Sequence, residues 1–504
     1  MNVKLDGNLS IDDLVSVVRF GKGVELGGEV KQRVNRNRDT LEDLVDSSEE
    51  PIYGVTTGFG DLVKEEIPPG ELRQLQVNLV RSHSAGVGDP LPDEVVRGIM
   101  ALRANSLGRG YSGVRLRVVE TLVELLNKNV TPLVPEKGSL GASGDLIPLA
   151  HVASVLIGEG KATYEGDLLS GEEALNRAGI ERLELQEKEG LALINGTQAM
   201  ASVISLALFD SDKLLRYADL VGGMSTFMVG GNFAQYDASI YDLRPYEGQK
   251  RVAKNFRTLT GYDPEEYSPK NVQDPYSIRC IPQVHGSART ALDHGEETLK
   301  TEINSVTDNP LIFDEPDRVI SGGNFHGEPV ALAADYVKIA LSELGSISER
   351  RMNRLVHPDL NGDLPAFLAR EPGTDSGLMM AQYTSAALAS ENKNLSFPSS
   401  VDSIPVSGDQ EDHVSMGMNG ANNLRKVVDN VRNILAVELI GGCQAQEYKG
   451  LDLTPPLEKL YHHVRQEIPP IGDDRELASL IDGASELLSD GELLDEFTRE
   501  FGIE

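Results

Sequence analysis

The sequence has few cysteines, no tryptophan and no long hydrophobic run. Its 504 residues include two cysteines, Cys280 and Cys443, which lie far apart and form no CxxC motif. This number excludes a disulfide scaffold and a cysteine-based zinc site, and it suits a reducing compartment. Because no stretch of about 18 uninterrupted apolar residues is present, we expect no membrane-spanning segment. The start, MNVKLDGNLSIDDLV, lacks the features of a signal peptide, so we expect a cytoplasmic protein.

Positive charge is also scarce. The chain has 47 Lys and Arg against 79 Asp and Glu, which gives a net charge of −32. Such a surface repels phosphate backbones, so we expect no nucleic-acid partner. Dispersed acidic residues are typical of enzymes adapted to high salt, because carboxylates hold water and ions while salt screens their repulsion. We therefore expect a halophilic enzyme that needs molar salt, and an acidic interaction protein is the alternative.

Several familiar motifs of catalysis and cofactor binding are missing. The sequence contains no GxxxxGK[ST] phosphate loop, no HExxH, no GxGxxG between a strand and a helix, and no GxSxG. The nine histidines are scattered, and their spacing does not suit a helical metal site. We therefore expect no metal and no external nucleotide cofactor.

The hydrophobic pattern predicts a mostly α-helical protein without separable domains. Residues 1–200 form a loop-rich N-terminal part, and residues 201–504 form long bundled helices within one continuous unit. The helical pattern is clearest in residues 288–306, 337–347, 378–389 and 424–439. We expect the first of these to end at the Asn309-Pro310 break, and 378–389 to be buried on all sides. Strand-like alternation is short and confined mostly to the first third and to residues 164–169.

Glycine-rich segments interrupt this helical background. They are residues 53–60, 138–145, 222–231 and 322–327. Glycine permits a positive φ and a close approach of the backbone. For residues 222–231 we predict a plain tight turn.

The sequence GSLGASGDLIPLAH places Ser143 between two residues with minimal side chains. If the backbone bends tightly, the nitrogen of Gly144 can attack the carbonyl carbon of Ala142, and loss of water closes a five-membered ring. Loss of the Ser143 hydroxyl as a second water then leaves an exocyclic methylidene. Asp145 stands at the N-cap of a predicted helix, residues 146–157, whose N-terminus would make the ring more electron-poor. Taken alone, the three residues Ala142-Ser143-Gly144 favour a capped glycine loop over this condensation.

Seven motifs together resemble the aromatic amino acid ammonia-lyase family over nearly the whole chain. They are YGVTTGFG (53–60), GSLGASGDLIPLAH (138–151), LINGTQ (193–198), VQDPYSIRC (272–280), NSVTDNPL (304–311), GGNFHGE (322–328) and QEDHVSM (410–416). The resemblance implies the family's prosthetic group, 4-methylidene-imidazol-5-one (MIO), formed autocatalytically from Ala142-Ser143-Gly144 without an external cofactor or metal. It also implies the helical-bundle fold of the fumarase/aspartase-like superfamily, and a homotetramer whose active sites are shared between subunits.

Two positions distinguish substrates within this family. Members that act on histidine carry Ser-His at the first position and Gln-Glu at the second. Phenylalanine and tyrosine lyases carry Phe-Leu or His-Leu at the first position and Asn-Gln at the second. This chain has Ser82-His83 and Gln410-Glu411. The resemblance therefore implies conversion of L-histidine to trans-urocanate and ammonia. The physical chemistry agrees, because an imidazole can pair with Glu411 whereas a phenyl ring would leave that carboxylate unpaired.

The resemblance also implies catalytic roles for individual residues. Tyr53 is the candidate base for the β-proton, which requires a lowered pKa of its hydroxyl, and Glu411 is a candidate to share that duty. Tyr276 corresponds to a position that hydrogen-bonds the MIO oxygen or the substrate amine. Whether the methylidene accepts the amine or the imidazole ring stays open, and we prefer the amine because its attachment makes nitrogen a better leaving group.

Substrate-binding roles follow from the same resemblance. Arg279 corresponds to the position that clamps the substrate carboxylate, a task that suits its forked donors. His83 is expected to face the imidazole. Asn195, like Tyr276, corresponds to a position that hydrogen-bonds the MIO oxygen or the substrate amine. Gln273 is expected to line the pocket, and Phe325 to pack on the substrate or to shield the ring.

Three alternatives remain. A tyrosine or phenylalanine ammonia-lyase, or an aminomutase, would use the same chemistry, but Ser82-His83 and Glu411 argue against it. A fumarase/aspartase-like lyase would carry a GSSxMPxKxN-type loop, which is absent. A non-catalytic acidic bundle would have no need to combine Ala-Ser-Gly with Tyr53 and Arg279.

Overall fold

The structure, a computed structural model, describes residues 2–47, 52, 54–55, 57, 67–265, 267–268 and 272–504. The prediction of a mostly α-helical chain with long helices after residue 200 is confirmed. The helices are α1 Ile11–Val18, α2 Gly28–Ser47, α3 Leu72–His83, α4 Asp93–Leu107, α5 Leu116–Asn127, α6 Leu146–Leu156, α7 Gly171–Ala178, α8 Glu189–Ile194, α9 Gln198–Met228, α10 Ala238–Asp242, α11 Glu247–Thr260, α12 Tyr276–Arg279, α13 Ile281–Glu302, α14 Glu328–Val356, α15 Met379–Leu395, α16 Gly417–Lys449, α17 Pro455–Glu467, α18 Ala478–Leu487 and α19 Gly491–Phe501. Within the described ranges, none of them combines the length and the apolar character that crossing a bilayer requires.

The chain divides into two compact units. The first unit comprises Met1–Phe209, Gly295–Asp335 and Pro398–Asn422, and the second comprises Asp210–His294, Tyr336–Phe397 and Asn423–Glu504. Neither unit is a continuous segment of the sequence. The predicted organisation into residues 1–200 and 201–504 stays a prediction.

The strands are short and all those described lie in the first unit. They are β1 Val3–Lys4, β2 Val24–Glu25, β3 Val87–Pro90, β4 Thr131–Pro132, β5 Pro135–Lys137, β6 Lys161–Tyr164, β7 Asp167–Ser170, β8 Leu311–Asp314 and β9 Asp317–Ile320. They form the parallel pair β1-β2, the antiparallel pairs β3-β5 and β8-β9, and the antiparallel sheet β4-β6-β7. The strand predicted at residues 164–169 is instead a hairpin, because Glu165 and Gly166 both adopt a positive φ and reverse the chain.

The long helices follow the predicted periodicity, with differences at their ends. In α16 the apolar stripe that includes Leu424, Val431 and Leu435 is fully buried, as a helix packed on one face requires. Helix α13 ends at Glu302, well before the predicted break at Asn309-Pro310. It ends early because the Asn304 amide pairs with both backbone groups of Leu9, which offers the chain an alternative to a further helical turn.

The predicted tight turn at residues 222–231 is partly wrong. Gly222 and Gly223 lie inside α9, and only Gly230 and Gly231 follow its end. The two helical glycines serve packing, because a Cβ at Gly222 would lie 3.2 Å from Phe256, and one at Gly223 would lie 2.8 Å from Leu259. Close approach of α11 therefore explains these glycines better than a turn does.

A buried polar network occupies the second unit. His285 Nδ1 lies 2.7 Å from Asp219 Oδ1, and the Asp219 Oδ2 atom accepts a 2.8 Å bond from Arg289. On the other side, His285 Nε2 lies 3.4 Å from Arg351, which donates to Glu438 at 2.6 Å. Since Arg351 can only donate, His285 Nε2 must accept, and the ring is neutral with its proton on Nδ1. Burial is the main cause that lowers the pKa of His285, and the adjacent Asp219 opposes it.

This network predicts a dependence of stability on pH. Because the pKa of His285 lies below its ordinary value of 6.5 in the folded protein, the unfolded chain binds more protons as the pH falls below that value. The free energy of unfolding should therefore decrease toward lower pH, by up to about 1.4 kcal/mol per pH unit from this residue. His285→Asn keeps a donor toward Asp219 and should remove that part of the slope. Urea midpoints of both proteins between about pH 7 and pH 5 test this, and parallel curves would contradict it.

Candidate active site

A cavity of about 890 Å³ lies within the first unit. Its walls are the inner face of α3, the loop that leads into α6, the end of α8, and two loops at residues 321–326 and 407–413. The cavity brings together His83, Ala142, Ser143, Asn195, Phe325 and Glu411. Six of the eleven predicted site residues thus line one space, although they are distributed over more than 300 residues of sequence.

One face of α3 forms a wall of this cavity. Leu75, Asn78, Leu79, Ser82 and His83 line it, and their spacing of three and four residues places them on the same side of a helix. Asn78 was not predicted from the sequence. Helical spacing could have identified it, because it lies one turn before Ser82.

His83 is held in one orientation at the end of α3. Its Nδ1 lies 2.8 Å from the Leu79 carbonyl oxygen, so this nitrogen carries the proton and Nε2 is left as an acceptor. Burial is the main cause that lowers the pKa of His83, while the bond to Leu79 and the charge of Glu411 act in the opposite direction. The ring is therefore neutral at neutral pH and is able to accept a hydrogen bond.

The loop that carries Ala142-Ser143-Gly144 is bent tightly and packs against the backbone of Gly196. Gly144 has a φ of +71°, and a Cβ at this position would collide with the carbonyl group of Gly196. The next residue, Asp145, donates its backbone N–H to that carbonyl oxygen at 2.6 Å. Only glycine fits at position 144, because both the positive φ and the contact exclude a side chain.

Asp145 anchors this bend from inside the protein. It stands at the N-cap of α6 as predicted, but its side chain makes no cap bond to the helix. Instead, its carboxylate accepts from Ser139 Oγ and from the backbone N–H of Met200, both at 2.8 Å. Burial raises the pKa of Asp145 to about 6, and the two hydrogen bonds oppose the shift. The carboxylate therefore joins the loop to the start of α9.

The carboxylate that is predicted to recognise the substrate's imidazole contacts the loop that is predicted to become the electrophile. Ser143 Oγ donates to Glu411 Oε1 at 2.8 Å, across 268 residues of sequence. Glu411 is fixed by backbone bonds with Val406 in both directions, 3.1 and 3.3 Å long, which close a tight turn. The side chain therefore projects into the cavity from a defined backbone position.

Asn195 and Phe325 complete this side of the site. Asn195 is buried at the end of α8 and donates through Nδ2 to the Asn309 carbonyl oxygen at 3.0 Å. Its Oδ1 is buried and has no hydrogen-bond partner among the described residues. A buried acceptor without a partner is unfavourable, and it suits a site that receives a donor from a ligand. Phe325 is half-buried and lines the cavity from a turn at residues 324–325.

Three further predicted site residues lie in the second unit and are not among those that line the cavity: Gln273, Tyr276 and Arg279. Arg279 lies with its guanidinium 4.7 Å from the centre of the Tyr276 ring, a cation–π contact. With its amide oxygen turned toward the guanidinium, Gln273 accepts from both terminal nitrogens of Arg279. Tyr276 is 70% exposed. The three residues thus form one cluster at a surface of the second unit.

One predicted site residue cannot be placed, and several residues of the cavity were not predicted. Tyr53 lies outside the described residues. Several cavity residues were not predicted, and the most notable are Asn309, His326 and His413, whose motifs were recognised without assigning them a role. In the part of the chain that the structure describes, no three His, Cys, Asp or Glu side chains are arranged to hold a metal ion.

Comparisons with known proteins identify the family of the chain. Residues 9–466 match the model of the aromatic amino acid lyase family. The chain is 50% identical to a histidine ammonia-lyase of Symbiobacterium thermophilum, covering 98% of this chain and 97% of that relative.

Solved structures extend the agreement to the fold. Histidine ammonia-lyase from Trypanosoma cruzi superimposes with a TM-score of 0.92 at 40% identity, over 99% of this chain and 95% of that one. Tyrosine aminomutase from Streptomyces globisporus superimposes with a TM-score of 0.94 at 38% identity, over the full length of both chains. The expected helical-bundle fold is confirmed. The chain belongs to the aromatic amino acid lyase family.

Proposed function

We propose that this chain is a histidine ammonia-lyase, a carbon–nitrogen lyase that converts L-histidine to trans-urocanate and ammonia in the first step of histidine degradation to glutamate. The observation that carries the proposal is the Glu411 carboxylate, which lies in the cavity 2.8 Å from Ser143 Oγ. A carboxylate at this position favours a substrate that offers an N–H donor or a positive charge. The relatives that share about half of the sequence carry the same name.

The loop residues fit the MIO group for which the family is known. Gly144 has a left-handed backbone and packs against Gly196 where no side chain fits, and Asn195 offers a buried oxygen without a partner. The group supplies an electrophilic carbon that makes the substrate nitrogen a better leaving group. We assign Ala142, Ser143 and Gly144 as its source, and the Asn195 side chain as a contact of the group or of the substrate amine.

Glu411 and His83 are proposed to recognise the imidazole ring. The Glu411 side chain accepts an N–H, and His83 offers its Nε2 atom as a second acceptor because Leu79 occupies its Nδ1–H. Two acceptors suit an imidazolium ring, which has two N–H donors. A phenyl ring would leave both acceptors without a partner, and a phenol, with a single O–H, would leave one of them without a partner. Phe325 packs on the substrate.

The proton transfer and the carboxylate contact are assigned to other residues. Tyr53 is our candidate base for the β-proton, with Glu411 as a second candidate. Arg279 is proposed to bind the substrate carboxylate, and the Gln273 amide that contacts it fixes the orientation of its fork. Tyr276 is proposed to donate to the substrate amine or to the MIO oxygen.

The direct test is a comparison of substrates. Purified protein should convert histidine to a product with the absorbance of urocanate much faster than it forms coumarate from tyrosine or cinnamate from phenylalanine. Faster coumarate or cinnamate formation would instead support the alternative lyase. A β-amino acid product that retains nitrogen would support the aminomutase.

A homotetramer with shared active sites is proposed from the second unit. Helix α15 was expected to be buried on all sides, but Met380 and Tyr383 are 56% and 61% exposed in the single chain. Tyr336, Ile339 and Phe397 are also large exposed apolar residues of this unit. Exposed apolar residues on long helices are typical of surfaces that other subunits cover. The exposed cluster of Gln273, Tyr276 and Arg279 suits residues that serve another subunit's cavity.

Shared sites predict complementation between inactive chains. Ser143→Ala and Arg279→Ala should each be inactive alone, but mixed tetramers should recover activity at about a quarter of the sites, because random assembly joins an intact residue from each chain. Differently tagged chains allow the mixed tetramers to be isolated and assayed. As the control, Ser143→Ala mixed with Glu411→Ala should recover nothing, since those two residues meet within one unit. Failure of the first pair to recover would mean that each site is built from one chain.

We also propose that the enzyme works in a salt-rich cytoplasm. The net charge of −32 is carried by dispersed carboxylates, whose repulsion salt relieves. Activity and the thermal midpoint should both rise between dilute buffer and about 2 M potassium chloride, where the Debye length falls below about 3 Å. Full activity and an unchanged midpoint in dilute buffer would contradict salt adaptation.

A further inference from the structure

Arg103 is a buried cation behind the wall of the active site. It lies on α4 and is 1% exposed. Its Nη1 donates to Gln198 Oε1 at 3.0 Å and to the Thr307 carbonyl oxygen at 3.4 Å, while Nη2 donates to the Ala192 carbonyl oxygen. Burial lowers the pKa of Arg103 to about 10, so the guanidinium stays charged at neutral pH. Burying this charge is unfavourable, and the residue lines no part of the cavity, so its presence needs another explanation.

The guanidinium occupies the space beside Gly196 that a side chain at that position would need. A Cβ added at Gly196 would lie 2.5 Å from the Thr307 carbonyl oxygen and 2.6 Å from Arg103 Nη1, and it would collide with Gln198 Oε1. Gln198 is held in place in turn, because its Nε2 donates to Thr307 Oγ1 at 2.7 Å. Arg103 and two of its three acceptors, those of Gln198 and Thr307, therefore lie packed together beside Gly196.

The opposite side of Gly196 faces the Ala-Ser-Gly loop. Gly144 and Gly196 form a β-bridge, and a Cβ at Gly144 would lie 2.9 Å from the Gly196 Cα as well as colliding with its carbonyl group. The Gly196 carbonyl oxygen also accepts the 2.6 Å bond from the Asp145 N–H. The contacts thus run without a gap from Arg103, through Gly196, to Gly144.

We propose that Arg103 is a positioning residue for the condensation of Ala142-Ser143-Gly144: it holds Gly196 against Gly144 so that the loop keeps the bend that ring closure requires. The inference rests on the proposed function, because it concerns the formation of the group that function needs. Arg103 touches neither substrate nor reacting atoms. A lysine could not replace it fully, because one ammonium on a flexible stem cannot hold three separately placed acceptors in the way a planar fork does.

The condensation balances without an oxidant or a co-reactant. The Gly144 nitrogen forms a bond to the Ala142 carbonyl carbon, and the carbonyl oxygen leaves as water with the protons of the Gly144 and Ser143 nitrogens. The Ser143 hydroxyl then leaves as a second water with the proton of its own Cα. A chain that has reacted is therefore lighter by two water molecules, whether or not it turns over substrate.

Intact mass measured during synthesis tests the inference independently of activity. Full-length protein is made in a cell-free system, folded chains are separated by gel filtration, and their masses are followed with time. In Arg103→Met, folded chains should lose two waters at least about tenfold more slowly than wild type, and Arg103→Lys should be intermediate.

Arg97→Met is the matched control. Arg97 is a buried arginine of the same helix that donates to Asn129 Oδ1 and to the Leu126 and Val17 carbonyl oxygens, away from Gly196. Its loss should lower the thermal midpoint without slowing the mass change. If Arg103→Met does not fold, Gln198→Leu removes the acceptor that Arg103 holds and should slow ring formation by itself. If folded Arg103→Met loses two waters at the wild-type rate, the inference is overturned. If Arg103→Met does not fold, the same result in folded Gln198→Leu overturns it. Wild-type chains that never lose two waters would instead overturn the proposed function.

Discussion

Ser143→Ala should reduce turnover of histidine by at least about 10³-fold, because alanine has no hydroxyl to lose and the loop cannot form the electrophile. The side chain that is removed makes one bond, to Glu411 Oε1 at 2.8 Å. Its loss should therefore change the thermal midpoint by only a few degrees. The measurement is kcat with saturating histidine, together with the melting curve of the same preparation.

Ser415→Ala is the matched control for this prediction. Ser415 is buried beside the same loop and donates to the Gly141 carbonyl oxygen at 3.1 Å, but it is not part of the condensing triad. This variant should keep activity within a few-fold of wild type. Turnover by a folded Ser143→Ala protein at a rate near that of wild type would refute the assignment of the triad.

Glu411→Gln should lower kcat/KM for histidine by about 10²- to 10³-fold, since an amide keeps the size of the side chain but loses its charge and half of its acceptor capacity. The chain should still lose two waters, because Glu411 contacts Ser143 Oγ but contributes no atom to the ring. This separates a defect in substrate recognition from a defect in ring formation. Intact mass and steady-state kinetics on one preparation give both results.

The neighbouring carboxylate provides the control for Glu411. Asp412 also lines the cavity but is exposed, so Asp412→Asn removes an equal charge from the same turn. It should change kcat/KM by only a few-fold. Equal effects of the two substitutions would show that general charge, and not the position of Glu411, favours histidine, and an unaffected Glu411→Gln protein would contradict our choice of substrate.

Local sequence patterns predicted the helices well and their ends less well. Stripes such as that of α16 repeat over many turns, so the period is clear even where single residues deviate. The end of α13 depends instead on Asn304 pairing with Leu9, almost 300 residues away. Gly222 and Gly223 were misread because a glycine needed for close helix packing looks the same in sequence as one needed for a turn.

The active site was predicted through its motifs, whereas its contacts could not be. Residue types and the family resemblance identified Ser143 and Glu411, but only the fold places their side chains 2.8 Å apart. Arg103 carried no signal at all, because a single arginine in an amphipathic helix is usually a surface residue. Its role depends on burial and on three acceptors from distant segments, which sequence spacing does not reveal.

The intact mass of the purified wild-type chain tests the central claim most directly. Electrospray measurement under denaturing conditions should give a mass lower by two water molecules than the sequence requires, and a peptide spanning residues 138–151 should carry the whole difference. Ser143→Ala chains have no hydroxyl to lose, so their mass should be lower than their own sequence requires by at most one water molecule. A wild-type chain at its full sequence mass would mean that the Ala-Ser-Gly segment has not condensed, and deamination by the proposed route would then be contradicted.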